Sequence, residues 1–208
     1  RFMDLLKQGE MVFAPCVWDC YSTKAAEMCG FKAALLAGTP AAASLTGTPD
    51  LGLMTGDELI YLTERVASFA SIPILVDFDE GYGDSPLNTY RNVTRLVNAG
   101  AQGFTLDDGM GIRGCTRMGY VKPGGHPYEL VSREHFKAKI KAALEAIRGT
   151  DCVLIARTEV RINEGFEEAI YRMKMAEDMG AHMTLINNVR GLEEAKHVAE
   201  ICKGWKMY

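Results

Sequence analysis

The chain has 208 residues, 48% of them hydrophobic, with 27 acidic against 23 basic residues and a net charge of -4. That is enough apolar material for one sizeable core, and the length argues for a single domain over residues 1–208. No basic stripe, no apolar run of bilayer length and no secretory pattern in "RFMDLLKQGE" are present, which argues against nucleic acid and membrane as partners and for a soluble, cytoplasmic protein.

Apolar runs and amphipathic stretches alternate along the whole chain. "MVFAPCV" (11–17) precedes helical spacing over 22–29, "KAALLAG" (32–38) a helix over 55–70, and "IPILVDF" (72–78) one over 86–98. "QGFTLDD" (102–108) precedes a helix over 132–148, "CVLIART" (152–158) one over 166–179, and "HMTLIN" (182–187) one over 191–202. Ser132 is a candidate N-cap, as is Asp84 or Ser85, while "MCG", "NAG" and "DMG" read as glycine C-caps. Six consecutive βα units predict a parallel sheet covered by helices.

Polar residues gather where these strands end: Gly38 and Thr39, Asp77 and Asp79, Asp107 and Asp108, Arg157 and Glu159, and Asn187. An open doubly wound sheet collects ligand contacts chiefly at its switch point, whereas a barrel brings the carboxyl ends of all its strands around one site. The pattern therefore favours an α/β fold of the (β/α)8 TIM-barrel type, with six units legible. "WKMY" (205–208) is a candidate opening for a seventh strand, and the C-terminal units are expected to be missing from this sequence.

Six cysteines form no C-x-x-C pair and lie mostly in apolar runs, so buried, reduced thiols are expected. Cys115 is the exception, set among Gly, Thr and Arg in a loop. His135, His182 and His197 have no metal-ligand spacing and are expected on helix surfaces or in the core.

"VDFDEGYGD" (76–84) ends a buried strand in carboxylates, which is costly unless something pairs with them. Asp77 and Asp79, two apart on an extended strand end, are expected to face the same way, with Asp107 close by on the next strand. Three converging carboxylates suit a hard divalent cation such as Mg²⁺. A calcium-binding loop is ruled out because Asn88 stands where the closing Glu belongs, and "GYG" lacks the third glycine of a dinucleotide fingerprint.

"APCVWDCYSTKAAEMCGFKAALLAG", "ASLTGTPDLGL", "VDFDEGYGD", "NAGAQGFTLDDG", "LVSREHFKAKIKAA" and "LIARTE" resemble, in order and over nearly the whole chain, signatures of the isocitrate lyase/phosphoenolpyruvate mutase superfamily. "TPDLGL" and "LVSREHFKAKIKAA" read like its 2-methylisocitrate lyase-like branch. The resemblance implies a (β/α)8 barrel, Mg²⁺ with Mn²⁺ as a substitute, and a small-molecule carboxylate substrate, a 2-hydroxy or 2-oxo di- or tricarboxylate that passes through an enolate of pyruvate. It further implies a homo-oligomer, a dimer or tetramer.

Carried over position by position, Asp77 is the direct metal ligand, and Asp79 and Asp107 hold the ion through waters, Asp107 standing where Glu is usual. Gly38 and Thr39 match the loop whose N–H groups hold a substrate carboxylate, with Ala37 in place of the usual Ser. Asp50 matches an acidic position near the metal, and Arg157 the arginine that binds and neutralises substrate; a structural salt bridge from Arg157 to Glu159 is the less expected reading. Asn187, at the end of the sixth strand, is read as a polar substrate contact.

The family's lyases take their general acid from a Cys in a mobile Lys-Lys/Arg-Cys-Gly-His loop. The best match here is "KPGGH", Lys122 to His126, with Gly124 at the cysteine position. Glycine transfers no proton, so either Cys115, which keeps the family's spacing from the acidic residue, or His126 or Tyr128 acts instead, or the reaction is one that needs no thiol, such as decarboxylation or hydrolysis of an oxo-acid. Cys115, Lys122, His126 and Arg157 are thus the candidate catalytic residues. The leading expectation is a carbon–carbon lyase. Its alternatives are a phosphoenolpyruvate mutase, a phosphonopyruvate hydrolase or an oxaloacetate decarboxylase-like enzyme, and a catalytically impaired homologue that only binds.

Overall fold

The structure, a computed structural model, describes residues 1–110 and 129–208. Strands β1 (Cys16–Val17), β2 (Ala34–Leu36), β3 (Ile74–Asp77) and β4 (Gly103–Leu106) come first along the chain. A two-stranded antiparallel ribbon, β5 (Gly109–Met110) with β6 (Glu129–Leu130), follows, and then β7 (Val153–Thr158), β8 (Met183–Ile186) and β9 (Trp205–Lys206). Outside the ribbon the strands form one parallel sheet of seven in the order β1-β2-β3-β4-β7-β8-β9. "WKMY" does open the seventh strand, parallel to β8.

The helices are α1 (Phe2–Lys7), α2 (Cys20–Met28), α3 (Gly38–Thr46), α4 (Gly56–Phe69), α5 (Pro86–Asn98), α6 (Arg133–Ala146), α7 (Val160–Glu164), α8 (Phe166–Asp178) and α9 (Gly191–Ile201). Their starts are set by local chemistry. Asp19 with Ser22 and Thr55 with Glu58 form capping boxes on α2 and α4, while Ser85 and Ser132 accept backbone N–H bonds at the heads of α5 and α6. Gly30, Gly100 and Gly180 follow α2, α5 and α8 with φ of 82°, 101° and 109°, the left-handed conformation that the C-cap reading requires.

Period-two alternation sorts the apolar side chains into two cores. Ile74, Val76, Phe104, Leu106, Leu154 and Ala156 point outward and pack under the helices. Leu75, Val153, Ile155 and Met183 point inward, where they meet Phe2 and Leu6 of α1. Leu35 of β2, Leu185 of β8 and Trp205 of β9 reach that same inner cluster although β2 lies far from β8 and β9 in the sheet, so the sheet is rolled as a barrel wall. Helix α1 plugs the end of the barrel away from the site, with the Phe2 N–H bonded to Gln102 Oε1 at 3.1 Å. Among the described residues the ring stays open between β9 and β1.

Gly103 marks a crowded point of the inner face. A Cβ there would lie 2.6 Å from Leu75 Cδ2 and 3.2 Å from the Val153 carbonyl oxygen, so neither neighbour leaves room. Gly103→Ala is expected to cost about 1–3 kcal/mol of stability as overpacking, read as a lower urea midpoint at an unchanged slope.

The thiols differ in part from expectation. Cys152 and Cys202 are buried, but Cys16 and Cys29 are exposed and Cys20 is half-buried; among the described residues none of them is in a disulfide. Burial pushes the Cys152 thiol up to about 12. Strand β1 is also shorter than the apolar run 11–17, with Met11 and Phe13 out in solvent; Pro15 has no N–H for the ladder, and pairing with β2 begins after it. The histidines hold structural contacts: His182 Nδ1 accepts the Leu154 N–H at 3.1 Å, and His135 Nε2 lies 2.7 Å from the Asp84 carbonyl oxygen.

Candidate active site

The alternation that buries Leu75 and Ile155 inside the barrel continues to the strand ends. The next inward positions are Asp77 on β3, Thr105 on β4 and then Asp107 just past it, Arg157 on β7 and then Glu159 just past it, and Asn187 beyond β8. Arg157 is the hub. Its Nη1 donates to Asp77 Oδ1 at 2.8 Å, its Nε donates to Glu159 Oε1 at 2.7 Å, and its Nη2 lies 2.5 Å from the same oxygen. Asp79 and Asp107 each approach the guanidinium to 3.9 Å. One arginine is therefore shared among four carboxyl groups.

Each of these groups is positioned by a further bond. Thr105 Oγ1 donates to Asp77 Oδ1 at 2.9 Å, and the Gly109 N–H donates to Asp107 Oδ1 at 2.9 Å. Asn187 Nδ2 donates to both oxygens of Glu159, at 2.9 and 2.7 Å, and its Oδ1 accepts the Asn188 N–H at 3.0 Å. Burial works against the Arg157 charge, but Asp77, Glu159, Asp107 and Asp79 outweigh it and hold the guanidinium well above its ordinary pKa. Burial raises Glu159 above the usual carboxylate range, with Arg157 pulling the other way. The salt bridge between Arg157 and Glu159, the less expected reading, is present beside the bond to Asp77, because positions two apart on a strand share a face.

Asp79 reaches the site by a route the strand pattern did not foresee. Strand β3 ends at Asp77; Asp79 has φ of 49° and Tyr82 φ of 54°, left-handed values in a turn closed by the Gly81 N–H on the Phe78 carbonyl at 2.8 Å. The turn, not strand alternation, aims Asp79 inward, and the Asp79 carbonyl accepts the Asp107 N–H at 2.7 Å.

Opposite these carboxylates lies the start of α3. Its N-cap, Ala37, offers no side-chain hydrogen bond, Pro40 has no N–H, and the Ala41 N–H already bonds the Ala37 carbonyl, so among the described residues the amides of Gly38 and Thr39 are its open donors. A Cβ on Gly38 would stand 3.5 Å from Asp77 Oδ2 and 3.8 Å from Asp79 Oδ2, which places this helix end directly against the acidic pair. Thr39 Oγ1 donates to Asp50 Oδ2 at 2.6 Å, which brings Asp50 to the same rim.

The structure thus brings together Gly38, Thr39, Asp50, Asp77, Asp79, Asp107, Arg157 and Asn187. Cys115, Lys122 and His126, with Gly124 and Tyr128, lie outside the described residues. Glu159, which sequence reading placed among the polar strand ends and as a competing partner for Arg157 but gave no role in the site, is a full member of it; the same-face spacing of 157 and 159 was the available signal. Among the described residues no three Asp, Glu, His or Cys side chains converge closely enough to hold a metal ion on their own. The oxygen-only donor set instead fits a hard cation with few direct protein ligands and a shell completed by water or substrate.

A rolled parallel sheet with its polar cluster at the carboxyl ends of the strands defines a (β/α)-barrel of the enzyme type. The sequence profile of the phosphoenolpyruvate phosphomutase family matches residues 2–208, and the chain belongs to that family, within the PEP mutase/isocitrate lyase superfamily. It is 34% identical over 204 residues to the petal death protein of Dianthus caryophyllus, covering 98% of this chain and 62% of that protein. It is 31% identical over 207 residues to the 2,3-dimethylmalate lyase of Eubacterium barkeri, covering all of this chain and 69% of the lyase. Oxaloacetate acetylhydrolase in complex with 3,3-difluorooxalacetate superposes with a TM-score of 0.89 at 30% identity, over 98% of this chain and 68% of that one. Phosphonopyruvate hydrolase in complex with oxalate and Mg²⁺ does so with 0.82 at 27% identity, over 98% and 68%. The chain spans about 60% of the length of the petal death protein and of a chloroplastic carboxyvinyl-carboxyphosphonate phosphorylmutase from Arabidopsis thaliana.

Proposed function

We propose that this chain carries the active site of a Mg²⁺-dependent lyase that cleaves a carbon–carbon bond in a small 2-hydroxy or 2-oxo di- or tricarboxylate, the bonding pair passing to an enolate that is then protonated, with release of pyruvate or a close relative. The observation that carries the reading is Arg157 shared among Asp77, Asp79, Asp107 and Glu159 directly beside the open amides of α3. Asp77 would hold Mg²⁺ directly, and Asp79 and Asp107 through waters, with Mn²⁺ as a substitute. Bound there, the ion supplies Lewis acidity to a carboxylate and the oxo group next to it.

The chain's own residues do the rest. The Gly38 and Thr39 amides take a substrate carboxylate at the positive end of α3, with Asp50 fixing the Thr39 hydroxyl away from that anion. Arg157 provides fixed positive charge where the enolate develops, already oriented by Asp77 and Glu159 so that no reorganisation is needed. Asn187 holds Glu159 against the guanidinium, a positioning role in place of a substrate contact. The proton for the leaving fragment falls to Cys115, His126 or Tyr128.

Gly124 at the family's cysteine position favours a second reading, in which the bond broken needs no thiol acid: oxaloacetate decarboxylation, or phosphonopyruvate chemistry like that of the hydrolase relative. Assembly as a dimer or tetramer and a cytoplasmic location complete the proposal, in keeping with the family; among the described residues no helix is long and apolar enough to cross a membrane. The test is incubation with Mg²⁺ and a panel of substituted malates, isocitrates, oxaloacetate and phosphonopyruvate, following pyruvate. Release from a malate or isocitrate alone supports the lyase, and release from oxaloacetate or phosphonopyruvate alone supports the second reading. Binding of Mg²⁺ and oxalate with no turnover of any member sinks both and leaves a binding homologue.

A further inference from the structure

The outward-facing neighbour of Asp107 is used as fully as Asp107 itself. Successive strand residues point to opposite sides, so Asp108 leaves the barrel interior and enters the layer between sheet and helices, fully buried. There it meets Arg172 of α8, which is 3% exposed, with Nη1 donating to Asp108 Oδ2 at 3.0 Å. The same oxygen accepts Thr158 Oγ1 at 2.6 Å, and Asp108 Oδ1 accepts the Glu159 N–H at 2.9 Å. Thr158 lies between Arg157 and Glu159, so one carboxylate fastens the end of β7 to the end of β4.

Arg172 extends the clamp to the ribbon and to α6. Its Nη1 also donates to the Val131 carbonyl at 2.9 Å, while the Val131 N–H donates to the Asp108 carbonyl at 2.9 Å. Its Nε donates to Glu168 Oε1 at 3.0 Å, and Arg133 grips the same Glu168 from the surface side. Apart from the buried Lys139 of α6, this layer is elsewhere filled mainly by apolar side chains such as Val76, Phe104, Leu106, Leu154 and Ala156. A buried ion pair stabilises a fold no better than a well-packed apolar pair of equal volume, so its presence here needs a reason other than stability.

We propose that Asp108 and Arg172 are positioning residues, which hold Asp107 and the Arg157–Glu159 pair at their working separation from outside the barrel. The inference rests on the metal site proposed above. The clamp touches no reacting atom and acts through the backbone of the two strand ends, one step further out than the partners that hydrogen-bond metal ligands directly.

The test uses the full chain and Mn²⁺ as the probe, with free ion read by electron paramagnetic resonance and folding by far-ultraviolet circular dichroism. Arg172→Met is expected to fold and to weaken Mn²⁺ binding about 10- to 100-fold, and Arg172→Lys to recover part of that loss. Arg133→Met, which removes a surface partner of Glu168, is expected to lower thermal stability and to bind Mn²⁺ as the wild type does. A folded Arg172→Met that binds within about twofold of wild type overturns the proposal, the twofold margin lying well below the expected effect. If Arg172→Met fails to fold, Arg172→Lys decides by the same margin. Wild-type protein that binds no Mn²⁺ removes the metal site and this inference with it, whereas intact wild-type binding with unaffected variants removes this inference alone.

Discussion

Asp77→Asn is expected to abolish Mg²⁺ binding and to lower turnover on the order of 10³-fold, while the metal-free protein keeps its stability within about 1 kcal/mol. The rate loss follows from removing the one carboxylate placed as a direct ligand: about 4 kcal/mol of lost charge stabilisation is a thousandfold in rate. The stability forecast rests on geometry. Asp77 uses Oδ1 to accept both Thr105 Oγ1 and Arg157 Nη1, and an amide oxygen in that place accepts the same two bonds. The substitution also removes one of four carboxyl groups crowded around Arg157, which relieves repulsion. Ligand linkage then separates the proteins: Mg²⁺ at a hundred times its dissociation constant stabilises wild type by about 2.7 kcal/mol and the variant not at all. Thermal unfolding with and without the ion, beside calorimetric titration, checks both halves. A variant that still gains stability from Mg²⁺ would place the ion elsewhere.

Arg157→Met reverses that balance. Buried Glu159 and Asp77 lose the guanidinium that pairs with them, and breaking a buried pair by removing one partner costs about 3–5 kcal/mol. Mg²⁺ supplies the missing positive charge, so it is expected to stabilise the variant more than it stabilises wild type. Catalysis does not recover with stability, because the ion cannot stand where the guanidinium meets substrate. The expected fall in kcat/KM is on the order of 10³-fold, with Arg157→Lys intermediate because a lysine keeps the charge but not the fork that serves Asp77 and Glu159 together. Urea unfolding with and without Mg²⁺ and steady-state kinetics give the two readouts. Wild-type kcat/KM in a destabilised Arg157→Met protein would confine Arg157 to a structural role.

Elements with strong local signals were legible in the sequence. The α5 boundaries, 86–98, follow from Ser85, Pro86 and the "NAG" stop, and the inner strands are centred on the apolar runs that announce them. Helix α3 was not legible, since "GTPAAASLT" has no polar face and no side chain to cap it; its uncapped start is what makes it a candidate anion site. The short α1 and α7 carry too few residues for a period to register, and they form because the barrel end and the β7 loop give them something to pack on.

Strand parity and chemistry are local properties, and the sequence by itself determined them: Asp77 and Arg157 occupy the last inward positions of buried strands, in a chain whose alternation demands a parallel barrel wall. Only the tertiary structure decided how those groups are joined. The bond from Arg157 to Asp77 spans 80 residues and the one from Arg172 to Asp108 spans 64, separations over which no local period carries information. Asp79 enters through a left-handed turn that strand alternation cannot anticipate, and Glu159 and Asn187 meet because β7 and β8 pair in one register. That Asp77 and Asp107 face the cavity is set by a two-residue repeat, whereas which partner each finds there is set by the rolling of the sheet.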